Sequence, residues 1–291
     1  MLPELTADRF PEFFQELWGT ERKPFAWQTE LASRALNNSE RPWPEVIALP
    51  TASGKTACLD IAVYALAAQA KRRASSQPRT APRRIFFVVD RRVIVDEAFE
   101  RAQRLSDKLR SAQGGILREV ADRLRSIGGG ERPLACFQLR GGMYRSDAWA
   151  RSPTQPTIVA STVDQLGSRL LFRAYGRSFK AWPIHAGLSG NDVLVLLDEA
   201  HCAVPFMETL QAVRRFRGWG QQPFITPFHV TIMSATPPEG ATDIFRDSSE
   251  EPGMADHPLG ARQLANKPTR LVEVQTSISK ANDEFAGALA K

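Results

Sequence analysis

The sequence predicts an α/β fold in which a mostly parallel sheet is flanked by helices on both faces. Three observations lead to this prediction. Short apolar runs of strand length alternate with helix-forming segments along most of the 291 residues. Polar motifs come directly after several of these runs, where parallel sheets bind their ligands. The apolar share of 43% is enough for a core, and no apolar run approaches membrane-spanning length.

The predicted elements follow in order. The apolar runs predicted to be strands are residues 46–49, 85–89, 134–139, 157–160, 193–197 and 229–233. The predicted helices are residues 8–18, 24–36, 57–70, 93–109, 116–127, 163–173 and 205–215. Residues 248–265 are rich in Pro, Gly and charge and are predicted to be a linker. A further strand at 269–274 and a helix at 277–289 are predicted beyond it.

These elements divide the chain into three parts. Residues 1–44 form N-terminal helices, residues 45–247 hold the predicted sheet, and residues 248–291 form a linker and the start of a connection. The N-terminus has no apolar signal core, so we expect neither secretion nor a membrane partner.

The charge and the cysteine content give weaker indications of the function. The net charge of +6 is compatible with a nucleic-acid partner but does not identify one. The basic residues at 71–73 and 79–84 favour a solvated loop over a dedicated binding patch. Cys58, Cys136 and Cys202 form no Cys-x-x-Cys pair, so we expect reduced thiols and a cytoplasmic location.

The most specific motif is Pro-Thr-Ala-Ser-Gly-Lys-Thr, which lies between the first predicted strand and the helix at 57–70. A strand, a small-residue loop and a helix are the context of a phosphate-binding loop, whose N–H groups surround an anion. Lys55 would reach the β- and γ-phosphates, and Thr56 would hold Mg²⁺. Leu49 replaces the first glycine of the strict pattern, so an ordinary helix start stays an alternative. The expected phosphate-binding residues are Thr51, Ala52, Ser53, Gly54, Lys55 and Thr56.

A second motif, Asp-Glu-Ala-His, ends the strand predicted at 193–197. Adjacent carboxylates of different role suit nucleotide hydrolysis, because Asp198 can hold Mg²⁺ while Glu199 orients and deprotonates the attacking water. The alternative is a strand that ends in a polar turn. The predicted catalytic residues are Lys55, Asp198, Glu199 and His201, and the predicted metal ligands are Thr56 and Asp198.

A third motif, Ser-Ala-Thr, follows the strand predicted at 229–233. Its hydroxyls, on Ser234 and Thr236, can bond His201 and the Asp198–Glu199 turn and so couple the nucleotide state to the nucleic-acid path. Taken alone, such a tripeptide is more often a helix cap or a turn.

Together the three motifs resemble the first motor domain of superfamily 2 helicases. The segments at 86–92, 160–166 and 183–188 resemble the helicase–nuclease of type I CRISPR systems, and most closely its type I-G (formerly I-U) variant. The resemblance covers roughly residues 20–275. It implies a RecA-like P-loop NTPase lobe that uses ATP and Mg²⁺ and acts on single-stranded DNA.

The resemblance also implies roles for single residues. Gln28 matches the glutamine that reads the adenine edge, although a glutamine on a helix surface is the alternative. Arg91 and Arg92 match a motif that follows the single-strand backbone, and their alternative is a helix start with solvated side chains. Later motifs that contact the nucleic-acid backbone fall on Arg140, Gly141, Ser161 and Thr162.

Two departures from the family pattern stand out. Ala52 replaces a common glycine, which we expect to be tolerable if its φ stays negative. Neither a second motor lobe with arginine fingers nor the His-Asp pairs of the family's HD nuclease appears in the sequence. We therefore expect His185 and His229 to be structural, and the isolated lobe to be incomplete for hydrolysis.

The partners that the resemblance implies are a Cascade-like CRISPR effector complex, the second motor lobe and the HD nuclease, in cis or in trans. Two alternatives stay open. The chain could belong to another superfamily 2 motor, such as an RNA helicase or a restriction-enzyme translocase. It could also be a non-catalytic module that docks an effector complex.

Overall fold

The computed structural model describes residues 4–72, 78–141, 148–199, 203–222 and 224–266. Within these ranges seven strands form a single sheet in the order β3-β4-β2-β5-β6-β1-β7, and every neighbouring pair is parallel. The strands are β1 Val46–Ala48, β2 Arg84–Val89, β3 Ala135–Leu139, β4 Thr157–Thr162, β5 Val193–Asp198, β6 Phe228–Met233 and β7 Ile244–Arg246.

Helices connect the strands. The α-helices are α1 Phe10–Trp18, α2 Ala26–Asn37, α3 Cys58–Ala68, α4 Arg92–Ser111, α5 Gly115–Gly128, α6 Ala148–Arg151, α7 Val163–Leu170, α8 Trp182–Gly190, α9 Val204–Arg217 and α10 Pro258–Leu264. Short 3-10 helices occupy Ala7–Arg9, Lys55–Ala57, Phe179–Ala181 and Glu251–Gly253. The prediction of a parallel α/β sheet is therefore confirmed.

Helices cover both faces of the sheet, as β2 illustrates. All six of its residues are buried. Ile85 and Phe87 pack into the core beneath α1 to α5, whereas Phe86 and Val88 pack into the core beneath α6, α7 and α9. Successive side chains of a strand point to opposite faces, so a strand buried on both sides must be apolar throughout.

The segment predicted to be a linker is partly helical, so that prediction is wrong for Glu251–Gly253 and α10. Pro258 occupies the first turn of α10, where its missing N–H is not needed. His257 Nδ1 accepts the Leu259 N–H at 3.3 Å, and the Leu259 side chain is fully buried. The strand and helix predicted at 269–274 and 277–289 lie outside the described residues.

Helix α3 contains a fully buried carboxylate at Asp60. Its Oδ2 accepts hydrogen bonds from Arg101 Nη2 at 2.5 Å and from Trp18 Nε1 at 2.9 Å. The Arg101 guanidinium also lies 4.3 Å from the centroid of the Trp18 ring. Burial raises the pKa of Asp60, while Arg101 acts in the opposite direction. This cluster joins α1, α3 and α4 behind the predicted phosphate loop.

The predicted structural histidines are packed inside the fold. His185 is buried, with its ring centroid 5.2 Å from that of Trp149. His229 Nε2 lies 3.0 Å from the Thr80 carbonyl oxygen, and burial lowers the pKa of His229 to about 4. No group of three or more potential metal-ligating side chains occurs among the described residues.

Cys58 and Cys136 are free thiols, and Cys202 lies outside the described residues. Burial raises the pKa of Cys136 to about 12, so its thiolate is disfavoured. None of the helices in the described ranges is both long and apolar enough to cross a membrane.

Candidate nucleotide-binding site

The loop after β1 is held in a strained turn. Gly54 has a φ of 74° and Ala52 a φ of 66°, so both occupy the left-handed region. The condition under which we expected the Ala52 methyl group to be tolerable, a negative φ, is therefore not met, and the methyl group makes this conformation costly. The Ser53 hydroxyl donates to the Pro50 carbonyl at 2.8 Å, which closes the turn from within.

The loop presents cationic and N–H groups at one place. Lys55 Nζ donates to the carbonyls of Leu49 at 3.1 Å and Pro50 at 3.3 Å, so its ammonium folds back over the loop. Within the described part of the chain, no hydrogen bond occupies the backbone N–H groups of Gly54, Lys55 and Thr56. Free N–H groups at a helix start beside an ammonium form an anion site, so the loop fits a phosphate group.

The two carboxylates predicted to be catalytic stand where β5 ends. The Glu199 N–H donates to Asp198 Oδ1 at 3.2 Å and to the Met233 carbonyl at 3.3 Å. Burial raises the pKa of Asp198, and the Lys55 charge opposes that rise. Glu199 has a φ of 52°, an uncommon conformation that often marks a functional residue. His201 lies outside the described residues.

The loop and the two carboxylates line the same cleft, which has a volume of about 360 Å³. The cleft lies at the carboxyl end of the sheet, between β1, β5 and β6 and the start of α4. Its lining residues are Thr51, Ala52, Ser53, Gly54, Lys55, Thr56, Ile94, Glu97, Asp198, Glu199, Met233, Ser234, Ala235 and Thr236. The lining includes two α4 residues that the sequence motifs missed, Ile94 and Glu97. Ile94 and Glu97 are three residues apart, so they lie on the same side of α4, close to where that helix begins after β2. This spacing was the signal by which the sequence could have indicated them.

The Ser-Ala-Thr motif lines the cleft but bonds mainly to itself. The Ser234 hydroxyl donates to the Thr236 carbonyl at 2.8 Å and accepts the Thr236 N–H at 3.2 Å. The Ser234 N–H donates to the Ile47 carbonyl at 3.1 Å and so fixes the turn to β1. The predicted bonds to Asp198 and Glu199 do not occur in this conformation.

Gln28 connects the N-terminal helices to the loop. Its side chain is 3% exposed, so the alternative of a surface glutamine is wrong. Its Oε1 accepts the Phe25 N–H at 3.0 Å, and its Nε2 makes a long contact of 3.5 Å to the Gly54 carbonyl. Beside it, Trp27 Nε1 donates to the Ser53 carbonyl at 3.2 Å. An adenine contact by Gln28 stays a prediction.

The helical part of the predicted linker also reaches the loop. Gln263 Nε2 donates to the Ser53 hydroxyl at 3.1 Å. Glu251 Oε2 accepts the N–H of Ala26, the first residue of α2, at 2.9 Å. No sequence motif indicated these contacts, because each joins residues more than 200 positions apart.

The arginines predicted to contact nucleic acid lie near the cleft. Arg91 Nε is 3.6 Å from Glu199 Oε2, and both side chains are exposed. Arg92, the first residue of α4, is exposed. Arg140 Nε pairs with Asp96 Oδ1 at 2.9 Å. Arg91 and Arg92 are thus accessible, whereas Arg140 is partly neutralised.

The remaining predicted contacts are less accessible. Ser161 is fully buried in β4, and its hydroxyl donates to the Thr162 carbonyl at 2.9 Å. In this conformation Ser161 has no surface for a strand to contact, and Thr162 has little. Gly141 approaches the Arg92 guanidinium, since an added Cβ would lie 3.3 Å from Nη2.

A phosphate loop, paired carboxylates and a Ser-Ala-Thr turn at one end of a parallel sheet define the first lobe of a superfamily 2 helicase motor, a RecA-like P-loop NTPase fold. The profile of the family described as "Type III restriction enzyme, res subunit" matches residues 21–239. This is well over half of the chain, which therefore belongs to that family.

Two solved structures are similar to this chain at low sequence identity. A structure of the yeast DEAD-box splicing factor Prp28 is 15% identical, with a TM-score of 0.46, over 80% of this chain and 44% of that one. A structure of Saccharomyces cerevisiae Dbp5 bound to RNA and ADP BeF3 is 14% identical, with a TM-score of 0.44, over 83% and 51%. The chain thus spans about half the length of these structures. No curated protein matches the sequence.

Proposed function

We propose that this chain is the ATP- and Mg²⁺-binding first lobe of a DNA helicase or translocase that serves type I CRISPR interference. One observation carries the nucleotide part: Lys55, Thr56, Asp198 and Glu199 line one cleft. The topology brings the ends of β1 and β5 to one edge of the sheet, and the side chains that meet there are the cationic, hydroxyl and carboxylate groups that a nucleotide with Mg²⁺ requires.

Each residue has a role that its position supports. The N–H groups of the loop and the Lys55 ammonium hold the phosphates, which requires Lys55 to exchange its bonds to the Leu49 and Pro50 carbonyls for phosphate oxygens. Thr56 and Asp198 are the residues that would hold Mg²⁺, whose charge would neutralise the transferred phosphoryl group. Glu199 orients the attacking water.

The DNA substrate and the role in CRISPR interference are more specific proposals than nucleotide binding. They rest on the segments at 86–92, 160–166 and 183–188, which resemble the type I-G helicase–nuclease. We further propose that a second motor lobe completes the site and that a Cascade-like complex and an HD nuclease are partners, with the whole protein working in the cytoplasm.

A nucleotide titration tests the proposal. We expect a fluorescent ATP analogue to bind the chain in the presence of Mg²⁺, and Lys55→Ala to weaken binding by about tenfold or more, because it removes a charge-assisted phosphate contact. Lys108→Ala, which removes an exposed lysine of α4, is the matched control and leaves the affinity unchanged. Equal affinities for both variants, or no binding of Mg·ATP, would favour the docking module.

The alternative superfamily 2 motors differ in substrate. In the full-length protein, we expect single-stranded DNA to stimulate ATP hydrolysis more than RNA of the same length does. Stimulation by RNA alone would assign the lobe to an RNA helicase. Stimulation by duplex DNA alone would favour a restriction-type translocase.

A further inference from the structure

The connection between α7 and α8, residues 171–181, exposes large aromatic side chains; we name it the aromatic loop. Phe172 is 56% exposed, Tyr175 is 52% exposed and Phe179 is 68% exposed. Single exposed apolar residues are common on proteins, but three exposed rings within eight residues form a cluster of the kind that marks interaction sites.

Basic residues alternate with these rings. Arg173 and Lys180 are exposed, and Arg177 is half-buried. The sequence contains no Asp or Glu between Asp164 and Asp192, so the segment carries only positive formal charge. A surface of rings and cations without acidic residues is complementary to a flat, polyanionic partner.

The aromatic loop has a defined conformation. Ser168 accepts, at its carbonyl, the N–H groups of Arg173 at 2.7 Å and Ala174 at 2.9 Å. Trp182 Nε1 donates to the Arg177 carbonyl at 3.1 Å. Ala174 is fully buried and anchors the loop to the core. The exposed rings therefore stand on a fixed backbone, which lowers the entropic cost of binding.

This conformation is strained. Phe172 has a φ of 56° and Ala174 a φ of 33°, and neither is a glycine. Such residues each cost on the order of 1–3 kcal/mol and persist where the surroundings impose them, often at ligand sites. The uncommon backbone conformation thus coincides with an exposed ring at Phe172.

We propose that the aromatic loop binds single-stranded nucleic acid. Bases stack on Phe172, Tyr175 and Phe179, and backbone phosphates pair with Arg173 and Lys180. Every base has a π-face, so this surface is sequence-tolerant, as a motor that moves along a strand requires. An acidic protein segment is less well matched, because it would satisfy the cations but leave the rings without flat partners. The inference rests on the nucleic-acid partner of the proposed function and not on the nucleotide site.

The test measures binding of the chain to a fluorescein-labelled oligothymidylate of about 20 nucleotides by anisotropy, between about 50 and 200 mM salt. Phe179→Ala weakens binding about 5- to 100-fold and leaves the slope of log K against log salt unchanged, because a stacked base releases no counterions. Phe179→Trp keeps most of the affinity. Lys180→Gln lowers the magnitude of the slope by about 0.7, the value for one phosphate contact to a single strand.

The matched control is Phe216→Ala, which removes a ring that is 48% exposed and lies 5.3 Å from the Arg215 guanidinium on α9. It leaves binding unchanged. Thermal unfolding of each variant shows that the fold is retained, and an oligouridylate of the same length tests RNA.

Several results would overturn the inference. One is a loss with Phe216→Ala as large as that with Phe179→Ala. Another is displacement of the oligonucleotide by polyglutamate as readily as by unlabelled oligothymidylate, which would assign the loop to an acidic protein. If Arg91→Gln with Arg92→Gln abolishes binding while the aromatic-loop variants bind normally, the inference fails and the proposed function survives. A chain that binds Mg·ATP but no single strand contradicts the nucleic-acid partner in both.

Discussion

Replacing Ala52 by glycine should stabilise the protein, although glycine usually destabilises. An alanine in the left-handed region costs about 1–2 kcal/mol that a glycine does not. Against this, glycine adds about 0.4–1 kcal/mol of backbone entropy to the unfolded chain. Ala52 is exposed, so the loss of its methyl group removes little packing. The net effect is an increase of about 0.5–1 kcal/mol in the free energy of unfolding, or about 1–4 °C in Tm.

Urea and thermal denaturation measure this difference. A second Ala→Gly substitution, at a position where glycine should destabilise, controls for the direction of the effect. Ala212 lies in the middle of α9, where glycine costs about 1 kcal/mol relative to alanine. Ala52→Gly and Ala212→Gly should therefore shift Tm in opposite directions. If both variants lose stability, Ala52 does not occupy the left-handed region in solution, and the account of loop strain is wrong.

Three further predictions concern stability. Asp60→Ala should lower the free energy of unfolding, measured in urea, by about 3–5 kcal/mol. Replacing both partners, with Asp60→Leu and Arg101→Met, should recover most of the lost stability. A loss below about 1 kcal/mol for Asp60→Ala would contradict a buried ion pair. The folded-state pKa of His229 is lowered to about 4 from 6.5, so between these values only the unfolded chain takes up the proton. Lowering the pH from about 6.5 to about 4 should therefore reduce the free energy of unfolding by on the order of 3 kcal/mol. His229→Gln should flatten this dependence, and an unchanged profile would refute it. Glu251→Ala should cost about 1 kcal/mol by leaving the Ala26 N–H without its acceptor, and Glu251→Gln should cost less; equal costs would rule out the hydrogen bond.

The sheet was predictable because a parallel sheet leaves a strong local signal. The burial of β2 on both faces makes all but the first of its residues apolar, and β4 and β5 are buried in the same way. The strand β7 left no such signal. It has three residues, lies at the sheet edge and ends in an exposed arginine, so its place is decided by pairing with β1.

The site was predictable where its chemistry needs particular side chains at particular spacings, as at Lys55 and Asp198. The parts of the site that depend on backbone conformation, or on contacts between residues far apart in the sequence, were not predictable. The positive φ of Ala52 follows from the geometry of the turn, and alanine itself favours negative φ. The bond from Gln263 to Ser53 depends on tertiary packing, which residue type does not reveal.

That bond is a direct contact between α10 and the phosphate loop, through which the position of one can affect the occupancy of the other. Ser53 is both the acceptor for Gln263 and the residue that closes the loop turn onto Pro50. A nucleotide that shifts Ser53 changes the free energy of docking α10, and by reciprocity a force or partner that displaces α10 changes nucleotide affinity by the same factor. A partner that contacts the C-terminal side of the described chain can therefore change nucleotide affinity without entering the cleft.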